Sequence, residues 1–200
     1  HPGIATQGCL TAGVRGGAAW YGLPMSFNSR ILPLVIASAL FMEQMDSTII
    51  ATSLPDIAAD LGVSPIALKL AFTTYLLGLT VFLPVSGWAA DRFGAKTVFR
   101  TAIVVFTAGS VACGFAESLH WLVAARGLQG VGGALMVPVG RIILLRSVEK
   151  SELLDAIAWL TIPALIGPVI GPPVGGYITT AYDWRWIFWI NIPFALAAIG

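Results

Sequence analysis

The sequence has few charged residues. Asp, Glu, Lys and Arg make up 10% of its 200 residues, against the roughly 25% that is typical of soluble domains. Hydrophobic residues make up 57%, and the mean hydropathy is +0.85. A chain with so little charge cannot cover the surface of a water-soluble domain. The composition therefore predicts that most of the chain lies in a membrane.

Histidine and cysteine are also scarce, with two residues of each. Cys9 and Cys113 are too few and too far apart for a disulfide framework or a metal site. A membrane-embedded enzyme would need clustered His, Cys or carboxylates at one depth, and a channel subunit would favour repeated polar faces. Neither pattern is present, so we expect no enzymatic activity and no cofactor. No nucleic-acid partner is expected either.

The amino-terminal segment differs from the rest of the chain. Residues 1–24 are rich in Gly and Ala, have no periodicity, and lack the apolar run and cleavage site of a signal peptide. We expect residues 1–29 to be disordered or non-native, with Met25 as the natural start. At the other end, the sequence stops at Gly200 in the middle of an apolar run, so the chain is interpreted as an amino-terminal fragment.

Five apolar runs are each long enough to cross a bilayer, which takes about 20 residues. The predicted spans are roughly 31–55, 66–90, 98–116, 119–145 and 154–181, and a sixth begins at Trp186 and is cut off at residue 200. The connections between them are short and polar, so consecutive helices should be antiparallel neighbours. Residues 30–200 are therefore predicted to form one all-α transmembrane bundle.

The distribution of positive residues predicts the orientation. One side carries Arg15 and Arg30 before the first span, and also Arg92, Lys96, Arg100, Arg146 and Lys150. The opposite side has Lys69 and Arg185, which are accompanied by Asp56, Asp60, Glu117 and Asp183. Cytoplasmic loops are the ones enriched in Lys and Arg. We therefore expect a multi-pass protein of the cell membrane with a cytoplasmic amino terminus.

Charged residues lie at membrane depth in two of the predicted spans. Glu43 and Asp46 share one face of the first span, and Arg126 lies in the fourth. At about 1.5 Å per residue, Asp46 and Arg126 should lie at comparable depth in the outer half of the membrane. An ionised group there costs at least ~2.5 kcal/mol, so it usually faces a partner or a cavity. Arg126 either neutralises Asp46 as a structural pair, or the carboxylates load and release protons. Glu43, with no second basic partner, favours the latter.

The fifth span contains an unusual run of Gly and Pro between residues 167 and 176. In water such a run would indicate a loop, but a lipid-exposed loop leaves backbone groups unpaired. The run therefore predicts a bent helix whose small residues allow close packing against a neighbouring helix. The residues concerned are Gly167, Pro168, Gly171, Pro172, Gly175 and Gly176.

Four segments in order resemble motifs of the major facilitator superfamily, specifically its drug:proton antiporters of the fourteen-span kind. Residues 87–96 resemble the loop between spans two and three, and residues 126–134, which include Gln129, resemble the proton-linked motif of span four. Residues 167–176 resemble the antiporter motif, and residues 46–55 the first-span motif. Residues 184–193 suit the start of a sixth span. The departures are Ala89, Ala95 and residues 51–53.

The resemblance implies the amino-terminal six-helix half of a transporter fold, with inverted repeats of three helices. It also implies a proton-coupled antiporter that exports drugs or other small organic compounds by alternating access. The proton gradient is then the energy source, the substrate is lipophilic or cationic, and the missing carboxy-terminal half is required. Proton coupling and substrate handling fall to Glu43, Asp46, Arg126 and Gln129. Whether the intact protein has twelve or fourteen spans stays open.

The loop between spans two and three is interpreted as a conformational latch, with a solvated basic turn that only sets the topology as the alternative. Its residues are Gly87, Asp91, Arg92, Gly94 and Lys96, and Asp91 is expected to pair with Arg92 or Arg100 or to accept from a helix N-terminus. The alternative functions are an exporter of an endogenous metabolite and a nutrient symporter of the same superfamily. The Gly-Pro motif of span five argues against symport.

Overall fold

The computed structural model describes residues 27–149 and 152–199. These residues form eight helical segments joined by short turns. They are α1 (Phe27–Asp60), α2 (Pro65–Phe82), α3 (Val85–Phe93), α4 (Ala95–Gly114), α5 (Leu119–Ser147), α6 (Leu153–Ala181), α7 (Trp186–Trp189) and α8 (Asn191–Ile199). Five of them, namely α1, α2, α4, α5 and α6, are long and apolar enough to cross a membrane.

The first helix is longer than predicted at both ends. It begins at Phe27, so residues 27–29 are helical and not part of a disordered segment, and it continues to Asp60 through Pro55. Gly62, with a positive φ of 63°, then reverses the chain, and the Val63 amide donates to the Ala58 carbonyl. The rest of the amino-terminal segment, with Cys9 and Arg15, lies outside the described residues, as does Lys150.

The second predicted span is two helices instead of one. α2 starts at Pro65 after Ser64, whose side chain caps the helix by accepting from the Ala67 amide, and it ends at Phe82. Pro84 has no N–H with which to continue the helical ladder, so a turn separates α2 from α3. The predicted loop over residues 91–96 is reduced to Gly94, whose φ of 85° favours glycine.

The remaining helices lie close to the predicted spans. α6 stays continuous through four internal prolines. The sixth span is divided at Ile190 into α7 and α8. Pro193 accounts for part of this interruption, because it cannot donate to the Trp189 carbonyl as the next helical turn requires.

The bundle is arranged around α1 and α5. α1 packs along α6 and α8, while α5 lies between α2 and α4. One buried cluster includes Met42 and Phe106, and a second includes Ile49 and Phe188. α2 and α6 instead leave large apolar side chains exposed, such as Val169 at 73%. These two faces require a cover of lipid or of protein.

Candidate functional site

A buried ion pair lies at the centre of the bundle. Nη1 of Arg126 on α5 is 2.6 Å from Oδ2 of Asp46 on α1, and the side chains are 1% and 0% exposed. Asp46 and Arg126, which the sequence places at comparable depth in the membrane, are therefore in direct contact. Removing two charges from water is costly, so such a pair is stable only when further hydrogen bonds satisfy its atoms.

The second oxygen of Asp46 also has a donor. Nδ2 of Asn191, the first residue of α8, donates to Asp46 Oδ1 at 2.9 Å and to Ser110 Oγ at 2.9 Å. The Ser110 hydroxyl in turn donates to the Phe188 carbonyl at 2.9 Å. The sequence pattern does not predict that Asn191 or Ser110 belongs to the site. In the sequence they stand out only as an amide and a hydroxyl side chain within apolar helices.

Arg126 is held by polar and aromatic neighbours. Its Nη1 donates to Oε1 of Gln129, one turn along α5, at 3.1 Å. Its guanidinium carbon lies 4.8 Å from the centre of the Phe188 ring and 5.7 Å from that of Tyr75. Both rings are within cation–π range. The Cys113 thiol, on α4, donates to Gln129 Oε1 at 3.8 Å. Side chains from α1, α2 and α7 therefore converge on the Arg126 head group.

Glu43 occupies the other part of the site. The Tyr75 hydroxyl, on α2, donates to Glu43 Oε1 at 3.1 Å, and Oε2 is buried without a hydrogen-bond partner among the described residues. Glu43 also lines a cavity of about 280 Å³ whose walls are Leu79, Thr80, Leu83, Gly133, Ala134 and Val137. The wall of this cavity is therefore apolar except for the carboxylate of Glu43 and the hydroxyl of Thr80.

Glycines after Arg126 allow α5 to approach both of its neighbours. A Cβ on Gly130 would overlap the Tyr75 carbonyl oxygen of α2. A Cβ on Gly132 would lie 2.8 Å from the Ala102 carbonyl oxygen of α4, closer than real contacts allow. Since backbone atoms cannot rotate away, these positions accept only a hydrogen. The glycines of residues 126–134 thereby determine how closely α2, which carries Tyr75, and α4 approach α5.

Three of the four glycines singled out on α6 pack against α1. A Cβ on Gly171 would overlap Thr48 Oγ1, and one on Gly175 would lie 2.6 Å from Ile49 Cγ1. Gly167 is closest to Gln44 Cβ, at 3.1 Å. The prediction was wrong for Gly176, around which a Cβ would meet nothing within 4 Å. A four-residue spacing keeps the first three on one helix face, whereas Gly176 is turned away.

The predicted partners of Asp91 were also wrong. Asp91 Oδ1 lies 3.3 Å from Nη2 of Arg146, at the end of α5, instead of pairing with Arg92 or Arg100. The two side chains are 71% and 62% exposed, so the pair contributes little stability on its own. Arg146 and Lys96 border a cavity of about 290 Å³ beside the Gly94 turn. Gly87 has open space around it.

Charged residues also meet at the opposite end of the bundle. Arg185 Nη2 lies 2.9 Å from Oδ2 of Asp60, and the Trp184 indole donates to the same oxygen at 3.1 Å. This contact joins the end of α1 to the connection between α6 and α7. The two groups of charges that the sequence analysis assigned to opposite sides therefore lie at opposite ends of the bundle.

Comparison with known proteins identifies relatives of this arrangement. A sequence profile described as Major Facilitator Superfamily matches residues 36–200. The protein provisionally named multidrug resistance protein MdtD in Yersinia enterocolitica is 45% identical over 80% of this chain and 34% of its own length. The protein of the same name in Klebsiella pneumoniae is 46% identical over the same shares. The chain thus spans about a third of the length of these relatives.

Solved structures share the fold at low sequence identity. The proton:xylose symporter XylE aligns with a TM-score of 0.75 and 15% identity, over 86% of this chain and 43% of that structure. A bacterial homologue of the human lysosomal transporter Spinster aligns with a TM-score of 0.74 and 18% identity, over 88% and 43%. At this level of identity the likeness speaks for the fold alone.

Proposed function

This chain belongs to the major facilitator superfamily, and we propose that it forms the amino-terminal bundle of a proton-coupled exporter of small organic compounds. The family and the fold class agree with the prediction from the motifs: an all-α six-helix half of a multi-pass membrane transporter. Export, proton coupling and substrate class belong to our proposal. We also propose that the chain catalyses no covalent chemistry, and that the proton gradient is the energy source in place of a cofactor.

The observation that carries the proposal is the pair of buried carboxylates. Asp46 is fully buried against Arg126, and Glu43 is 5% exposed beside a cavity. A carboxylate at membrane depth is expensive and usually serves a transport pathway or a proton relay. Asp46 would take up a proton when helix movement withdraws Arg126, and release it when the pair reforms. Proton movement and conformational change would then be linked through one contact.

Glu43 is suited to substrate recognition. Its Oε2 has no hydrogen-bond partner within residues 27–149 and 152–199, and the surrounding cavity wall is mostly apolar. A lipophilic cation would match both properties, because its charge would pair with the carboxylate while its body displaced water from apolar surface. Since a cation binds the ionised carboxylate best, substrate and proton would compete for Glu43. The relatives named for multidrug resistance support export as the direction.

We further propose that the amino terminus is cytoplasmic and that the membrane is the bacterial inner membrane. Asp91 and Arg146 mark one end of the bundle, Asp60 and Arg185 the other. The first end also carries Lys96, as cytoplasmic ends typically carry basic residues. A conformational latch at this end would then involve the Asp91–Arg146 contact.

A second helical bundle completes the proposed transporter. The chain covers about a third of its sequence relatives and 43% of the solved transporters. The exposed apolar faces of α2 and α6 offer surfaces for such a bundle. The substrate would lie between the two bundles, near the membrane midplane, as in related transporters. Metabolite export and nutrient symport are the alternatives, and the Gly-Pro motif favours antiport over symport.

Efflux from vesicles tests the proposal. The complete transporter that carries this bundle is reconstituted, a pH gradient is imposed, and the export of ethidium is compared with that of the neutral dye Nile red. We expect Glu43→Gln to abolish ethidium export, and Asp46→Asn to abolish the response of both dyes to the gradient. Glu117→Gln is the matched control, because Glu117 is an exposed carboxylate in a connection. Parent-like responses in both site variants would refute the proposal.

A further inference from the structure

Asn191 is the residue of the central cluster to which no role has been given. It is fully buried, and its Nδ2 bridges Asp46 Oδ1 and Ser110 Oγ, each at 2.9 Å. Its own Oδ1 is buried without a hydrogen-bond partner among the described residues. Both N–H groups of the amide therefore donate hydrogen bonds, whereas its oxygen accepts none from the described residues.

The amide of Asn191 differs from Arg126, the other hydrogen-bond partner of Asp46, because it can accept as well as donate. An arginine only donates hydrogen bonds, whereas an asparagine carries a donor and an acceptor that exchange places when the side chain rotates by half a turn. An ionised Asp46 requires donors at both oxygens. A protonated Asp46 has an O–H of its own and requires an acceptor, which Arg126 cannot supply.

We propose that Asn191 is a positioning residue that accommodates Asp46 in both protonation states. With Asp46 ionised, Asn191 Nδ2 donates to Oδ1 as the structure shows. When a proton from the aqueous phase binds to Oδ1, the amide turns over and its Oδ1 accepts the new O–H. The proposal rests on Asp46 being a proton site, as the proposed function has it.

Ser110 makes this rotation feasible. Its hydroxyl now accepts from Asn191 Nδ2 and donates to the Phe188 carbonyl. A hydroxyl can rotate, so it can donate to the amide oxygen after Asn191 turns over. This change removes the Ser110 hydrogen bond from the Phe188 carbonyl, which lies just before the interruption between α7 and α8. Protonation of Asp46 would thereby change a hydrogen bond to the backbone of the sixth span, in addition to weakening the contact with Arg126.

The ionisable neighbours of Asp46 do not provide an acceptor for a protonated Asp46. They are Glu43 on its own helix, Tyr75 on α2, Cys113 on α4 and Arg126 on α5. Tyr75 uses its hydroxyl proton on Glu43, and Cys113 is turned toward Gln129. Among the hydrogen bonds of the described residues, Asp46 has only Arg126 and Asn191 as partners. The acceptor for a protonated Asp46 is therefore Asn191.

Infrared difference spectroscopy of the complete transporter that carries this bundle, in lipid vesicles, tests the proposal. The C=O stretch of protonated Asp46 appears on acidification and is identified by its absence in Asp46→Asn. We expect Asn191→Leu to shift this band to higher wavenumber, because the O–H loses its acceptor. Asn191→Ser, whose hydroxyl can donate and accept, should move the band back toward its parent position. Glu117→Gln is the control, since it removes an exposed carboxylate in a connection and leaves the Asn191 network intact, and should leave the band at its parent position.

The outcomes separate this inference from the proposed function. An Asp46 band that is present in the parent and unchanged in Asn191→Leu overturns the role of Asn191 and leaves Asp46 as a proton site. A parent without an Asp46 band at any pH that the fold survives overturns both. If Asn191→Leu does not fold, Asn191→Ala removes the same amide with less bulk, and the same shift is required of it.

Discussion

Substitution of one glycine on α6 should destabilise the bundle, while substitution of its neighbour should not. A Cβ on Gly175 would lie 2.6 Å from Ile49 Cγ1 and 2.9 Å from the Ile49 carbonyl oxygen, so α6 must move away from α1. Because carbon atoms normally approach to about 3.5–4.0 Å, the displacement is on the order of 1 Å. Such overpacking costs about 1–3 kcal/mol.

Gly176 provides a matched control for this change. Both glycines lie inside α6, so Gly→Ala gains about 0.5–1 kcal/mol of helix stability at either position. At Gly176 the new Cβ meets nothing within 4 Å. The helix term therefore cancels between Gly175→Ala and Gly176→Ala. The difference in unfolding free energy, about 1–3 kcal/mol, isolates the contact with α1.

Cys113 supplies the assay because it is fully buried in the folded bundle. A fluorogenic maleimide will label it only as the protein unfolds, provided that Cys9 is replaced by Ser. From the temperature dependence typical of domains of this size, Gly175→Ala should melt about 2–12 °C below Gly176→Ala. If Gly175→Ala melts at or above the temperature of Gly176→Ala, the close approach of α6 to α1 does not stabilise the bundle.

Two further predictions concern orientation and the buried pair. Cysteines introduced at Ala95 and Ser118 should react with an impermeant thiol reagent only from the cytoplasmic and only from the outer side, respectively; the reverse pattern would contradict the proposed orientation. Asp46→Leu and Arg126→Met should each lower the free energy of unfolding by about 3–5 kcal/mol, because each leaves one charge buried without its partner. The double variant should cost less than either single one in the same melting assay, and additive costs would show that the two charges are not coupled.

The fold was predictable because its main determinants are local. Runs of about 20 apolar residues mark membrane helices, and short polar connections make them neighbours. The structure departs from the prediction where a single residue determines where a helix ends. Pro84 divides the second span, and the α7–α8 break lies just before Pro193. A hydropathy pattern averages over such positions.

The site was predictable only where charge revealed it. Asp46 and Arg126 stand out in an apolar sequence, and their depths could be counted from the helix ends. Asn191, Ser110 and Tyr75 carry no charge and lie on three different helices, so no spacing pattern connects them to Asp46. The partner of Asp91 was missed for a related reason. Arg92 and Arg100 are near in sequence, whereas Arg146 approaches only because α3 and α5 end at the same place.

Proton release on substrate binding is the measurement that tests the account most directly. Ethidium is added to the complete transporter in weakly buffered detergent solution, and a pH-sensitive dye reports the protons that enter the solution. The account predicts release by the parent and none by the Glu43→Gln, Asp46→Asn double variant, because neither site can then hold a proton. Glu117→Gln should behave like the parent. Release from the double variant equal to that of the parent would contradict the account and move the proton sites outside this bundle.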